Sequence, residues 1–167
     1  MAFLCWKGWQ VRHLTVYYKY INNKGMNNMA YVSQEMKKAL TPAIKAVLKK
    51  HRVKASISVN NHSTLCVNIK EGAIDFIGEQ NKNNMETCRQ RGVPFVESDG
   101  YIQVNEYYPE TYGDGADFLV ELVDAMKGPD YFNNDDAMTD YFHRSHYTNI
   151  NVGKWNKPYV YNAFVGL

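Results

Sequence analysis

Histidine followed two positions later by threonine occurs three times, at His13-Leu-Thr15, His62-Ser-Thr64 and His146-Tyr-Thr148. Two such motifs on strands facing one cleft would suit phosphodiester chemistry, one imidazole acting as base, the other as acid, and the hydroxyls holding the phosphate. Histidine titrates near neutrality, so a pair can divide those roles. His62, Thr64, His146 and Thr148 border segments with strand patterning. They make a two-histidine-type phosphoesterase, acting on a nucleotide or cyclic oligonucleotide, the enzymatic alternative for this chain. The competing reading is structural, because His62 stands in the run Asn60-Asn61-His62-Ser63, where such residues serve a turn. No glycine-rich phosphate loop, GxSxG or HExxH motif occurs.

Cys5, Cys66 and Cys88 are odd in number and show no CxxC spacing, which argues against a disulfide framework and a structural zinc site. Cys88 lies beside Arg89 and Arg91 and is the more reactive candidate, whereas Cys66 reads as a small sheet residue. Asp130, Asp135, Asp136 and Asp140 lack EF-hand spacing and read as a solvated acidic loop. Neither a metal nor a cofactor is expected.

Charge is the stronger signal. The formal net charge is +2, yet residues 1–54 carry 11 Lys and Arg against Glu35 alone, and residues 97–140 carry 12 Asp and Glu against Lys127 alone. Lys38, Lys45 and Lys49 fall within about 40° of one another on a helical wheel. The stripe continues through Lys50, His51, Arg52 and Lys54, a candidate surface for nucleic acid. Asp117, Glu121 and Asp124 form an acidic face that a basic protein would fit. The alternative to both is two solvated faces that attract each other within the fold. Trp155 with Lys154, Lys157 and Tyr159 is an aromatic and basic cluster that could stack on bases, or else anchor a last strand through buried rings.

The elements that must position these residues follow from hydrophobic periodicity. Met36, Leu40, Ala43, Ile44, Val47 and Leu48 predict a helix over 33–50 capped by Ser33, kinked or restarted at Pro42. Ile57 and Val59, then Leu65, Val67 and Ile69, alternate with polar residues and predict a hairpin. Residues 78–94 have no apolar period and read as a polar loop or short helix. A third strand is predicted over 101–107. A second helix over 115–127 would be capped by Asp114, buried through Phe118, Leu119, Leu122, Val123 and Met126, and stopped by Gly128-Pro129. Thr148, Ile150 and Val152 predict a last strand. The expected fold is α+β: a small antiparallel or mixed sheet of about four strands with two main helices packed on it. Residues 1–28 read as an extension or a start assigned too early, and 29–167 as one domain. No apolar run approaches the roughly 20 residues that a membrane span needs.

Several phrases resemble a known family: Tyr31-Val-Ser-Gln-Glu-Met-Lys-Lys38, Pro42-Ala-Ile-Lys-Ala-Val-Leu-Lys-Lys50, Asn61-His-Ser-Thr-Leu65, Ile69-Lys-Glu-Gly-Ala-Ile-Asp-Phe76 and Asn151-Val-Gly-Lys-Trp-Asn-Lys-Pro-Tyr159. Together, over residues 30–160, they resemble the large polyvalent protein-associated domain family numbered 29, found in bacteriophages and mobile elements. The resemblance implies an accessory role in infection or element transfer, such as protecting incoming DNA or blocking a host defence, and no established chemistry. It omits residues 1–28 and does not account for His146. The expectation is therefore a binding protein whose partner is a host protein or nucleic acid, located in the cytoplasm of the host cell or packaged in the virion.

Overall fold

The computed structural model describes residues 30–140 and 142–163. The 1–28 segment, with His13, Thr15 and Cys5, lies outside the described residues. Helix α1 runs Gln34–Lys50. Ser33 is its N-cap, extended at φ −74° and ψ 159°, and its hydroxyl oxygen accepts from the Met36 N–H at 3.0 Å. Pro42 sits inside the helix without ending it. It faces solvent, opposite the buried Leu40, Ile44 and Leu48.

Strands β1 (Val53–Asn60) and β2 (Thr64–Gly72) form the expected hairpin. Its turn places Asn61 at φ 50° and His62 at φ 55°, left-handed conformations that Asn and His tolerate better than most residues. Helix α2 (Phe76–Arg91) then occupies the stretch expected to be a polar loop or short helix. Phe76 is its one buried residue, so no apolar face betrays it. It is held by its ends and by local pairs. Asp75 accepts from Gly78 N–H at 2.9 Å, Gly92 closes it at φ 66°, and Glu86 accepts from Arg89 and Gln90, each at 3.0 Å.

Strand β3 is shorter than expected, Ile102–Gln103. Val104 N–H still reaches Ile150 O at 2.9 Å, but Asn105 N–H turns to the Tyr112 hydroxyl at 3.0 Å. A 3₁₀ segment, Pro109–Gly115, leads into α3 (Ala116–Lys127). The N-cap is Gly115, with no side-chain cap bond, rather than Asp114. A Cβ at Gly115 would stand 2.7 Å from a ring carbon of Phe76, so the close approach of α2 to the start of α3 requires glycine there. The buried stripe of α3 is the expected one, and Gly128 ends the helix at φ 68°. Strands β4 (Tyr147–Val152) and β5 (Val160–Tyr161) follow.

The sheet is mixed, with order β1-β2-β4-β3, and β5 pairs with the end of β2. β1 and β2 are antiparallel, β2 and β4 parallel, β3 and β4 antiparallel. The fold is α+β, with five strands and three α-helices among the described residues. Leu65, Val67, Ile69, Ile150, Val152 and Ile102 share one sheet face and join Ile44, Leu48, Phe118, Leu119 and Leu122 in one continuous core. Each such side chain, fully buried, contributes about 1.5–3 kcal/mol.

Candidate nucleic-acid interface

Helix α1 carries the lysine stripe on the side opposite its buried leucines, because side chains seven or eleven positions apart return to one face. Lys38, Lys45, Lys49 and Arg52 are exposed and make no ion pair among the described residues. Lys50 and Lys54 are engaged. Lys50 Nζ lies 2.6 Å from Glu121 Oε1, and Lys54 pairs with Glu71. His51 Nε2 reaches the second Glu121 oxygen at 3.1 Å, and its ring meets Phe118 edge-on at 5.2 Å. The Lys50 ammonium, with His51 beside it, holds the Glu121 carboxyl below the usual carboxylate range. The acidic face of α3 is thereby divided. Glu121 is bound to the end of α1, while Asp117 and Asp124 stay exposed. Among the described residues, mutual attraction of the two charged regions is visible at this one junction, and most of the lysine stripe lies outside it.

Among the described residues, the two histidine motifs at His62 and His146 are not brought into a common cleft. In the parallel β2–β4 register Thr64 pairs with Tyr147, and Thr148 with Leu65. Thr64 therefore stands on the sheet face away from the core, and Thr148 on the face toward it. Thr148 Oγ1 donates to Glu106 Oε2 at 2.7 Å. His146 is 1% exposed, its Nε2 lies 3.0 Å from Met126 O and its Nδ1 3.1 Å from Ser145 Oγ. A carbonyl only accepts, so Nε2 bears the proton and Nδ1 accepts from the serine. Burial, reinforced by Lys127, lowers its pKa. With both nitrogens engaged, His146 ties the segment before β4 to the end of α3. His62 is exposed in the hairpin turn, where its carbonyl accepts from Val32 N–H at 2.7 Å.

The acidic loop is organised by its own partners. Asp135 is bound by Arg144, and Asp136 accepts from Met138 N–H at 3.0 Å and Thr139 Oγ1 at 2.9 Å. Among the described residues no three His, Cys, Asp or Glu side chains are grouped to hold a metal ion, and no helix is long and apolar enough to cross a membrane. Cys66 is buried within the sheet, and burial pushes its thiol pKa up. Cys88 is half-buried on α2.

The aromatic and basic cluster divides. Tyr159 is buried, its hydroxyl donating to Ile74 O at 2.7 Å, whereas Trp155 is 87% exposed. Beside Trp155, the outer sheet face presents side chains that the sequence did not single out. Asn151 Nδ2 donates to Asn68 Oδ1 at 3.2 Å, and Asn68 Nδ2 to Ser58 Oγ at 3.3 Å. The polar positions of each strand were legible as the outward phase of an alternation. That Asn68 and Asn151 are neighbours follows only from the parallel pairing, which alternation does not encode. No protein-family model, curated protein or solved structure matches this chain.

Proposed function

We propose that this chain is an accessory protein of a bacteriophage or mobile element that works by binding a macromolecule, and that the macromolecule is nucleic acid held along the outer face of α1. The observation that carries the reading is the set of exposed cations Lys38, Lys45, Lys49 and Arg52, which the neighbouring carboxylates leave unneutralised. Cations free of internal partners can displace the counterions of a phosphate backbone, and that release supplies affinity without requiring any particular base sequence. Sequence-independent coating of this kind suits protection of incoming DNA. The acidic face is the weaker candidate for a host protein because Glu121 is already committed to Lys50 and His51. The resemblance over residues 30–160 supports the accessory role.

The test is the salt dependence of binding to a duplex of arbitrary sequence. The logarithm of affinity should fall linearly with the logarithm of salt concentration, and each phosphate contact removed should lower the slope by about one. Lys45→Glu with Lys49→Glu should therefore reduce it by about two. An unchanged slope removes the lysine face from the interface. Capture of a nuclease-resistant protein partner sensitive to Asp117→Lys and Asp124→Lys would move the reading to the acidic face.

A further inference from the structure

The segment after β4 holds a tryptophan in water on a stiff mount. Lys154 and Lys157 exchange both backbone hydrogen bonds, at 2.8 and 3.0 Å, so Trp155 and Asn156 are the tip of a two-residue hairpin. That hairpin is fastened at its base. Gly153 N–H bonds Ile69 O at 2.9 Å, and Tyr159 N–H bonds Gly100 O at 2.8 Å. Gly153 adopts φ +70°, and a Cβ there would lie 2.2 Å from Gly100 O, so the approach of the two chains depends on glycine. An exposed aromatic on its own is ordinary. This one lines a shallow cavity of 270 Å³ together with Tyr101, itself 41% exposed, and with Asn68, Asn151, Lys154 and Asn156.

Each component has a chemical counterpart. An indole carried at the tip of this braced hairpin and a second ring lining the same cavity offer flat apolar surface to a planar heterocycle. The Asn68 and Asn151 amides are joined to each other, which fixes their orientation and leaves the Asn151 carbonyl oxygen and one N–H of each side chain for a ligand. Donors and acceptor side by side match the edge of a nucleobase. Lys154 and Lys157, flanking the tip, supply positive charge for the phosphates on either side of that base. A duplex hides its base faces in the stack and its Watson–Crick edges in pairing, so a ligand that offers both a ring face and that edge is unpaired.

We propose that the Trp155 hairpin and the adjoining Asn68–Asn151 amides form a base-stacking site for single-stranded nucleic acid. The proposal deepens the nucleic-acid reading of the lysine face, yet it stands on residues at a different place in the fold, so the two can fail separately. The measurement is fluorescence anisotropy with a short labelled oligothymidylate and with a labelled duplex of equal length, on the full chain and its variants. Trp155→Ala should weaken single-strand binding on the order of tenfold and leave duplex binding and both salt slopes unchanged, because stacking releases no counterions. Trp155→Phe should recover most of the loss, and Asn151→Ala should weaken the single strand alone. The Trp155 side chain is almost fully exposed, so its variants should retain the wild-type circular dichroism spectrum. Equal single-strand affinity in wild type and Trp155→Ala overturns the site, as does wild-type binding to duplex alone. Loss of duplex binding in Lys45→Glu/Lys49→Glu with Trp155→Ala indistinguishable from wild type would retain the lysine face and remove this site. The converse pattern would remove the lysine face and retain the site.

Discussion

The two faces of the sheet are built from the same strands and behave differently. Toward the helices, Leu65, Val67, Ile69, Ile150 and Val152 interlock with α1 and α3 in a core that excludes water. On the opposite face the same strands present Ser56, Ser58, Thr64, Cys66, Asn68, Asn149 and Asn151. Apart from Cys66, these are uncharged groups, capable of hydrogen bonds and poor at driving collapse. The inner face supplies stability through area, and the outer face supplies directed donors and acceptors on a backbone that the inner face has already made rigid. The outer face is not uniformly wet. Cys66 is fully buried, and Asn149 Oδ1 is buried without a hydrogen-bond partner, whereas Asn68 and Asn151 border the cavity beside Trp155. Binding chemistry can therefore be placed at the rim of the outer face without disturbing what holds the fold.

Substitutions can break this comparison. The largest effect belongs to the inner face: Leu65→Ala, at a site with 0% exposure, should cost about 2–5 kcal/mol in urea denaturation. If the loss were under about 1 kcal/mol, the inner face would not be the source of stability. Next comes the histidine that locks β4 to α3. Its folded pKa lies below the unfolded value near 6.5, so the stability it contributes is present above that pH and is lost as pH falls toward the folded value. The urea midpoint should drop as pH falls below about 6.5, and His146→Gln should flatten that drop while keeping a donor for the Met126 carbonyl. Removing the α2 cap with Asp75→Ala should cost about 1 kcal/mol, with faster hydrogen exchange confined to residues 76–91. Least affected should be the outer rim: Trp155→Ala should leave the denaturation midpoint within about 0.5 kcal/mol of wild type.

How much of this was legible depends on where each element gets its stability. Helices α1 and α3 bury stripes at helical spacing, so Leu40, Ile44 and Leu48, or Phe118, Leu122 and Met126, announce them. Helix α2 buries only Phe76 and is held by caps and neighbouring polar pairs, a signal that hydrophobic periodicity does not carry. The β1–β2 hairpin could be read because its partners are adjacent in sequence. The β2–β4 pairing could not, and with it went the phase of the histidine motifs, since a one-residue offset sends Thr64 and Thr148 to opposite faces. The lysine stripe was visible as composition. Which of its cations Glu121 and Glu71 neutralise required three dimensions.

The parallel pairing of β2 with β4 also orders events in time. α1 and the β1–β2 hairpin use residues that leave the ribosome together, but the inner edge of β2 meets its partner only when residues 147–152 have been made. Until then a strand rich in aliphatic side chains waits with unpaired amides, open to any other extended chain. Completion of the sheet is thus a late, long-range closure. The nascent protein should be most prone to self-association after β2 has emerged and before β4 has, and truncation anywhere in that interval should yield aggregates rather than a smaller folded unit.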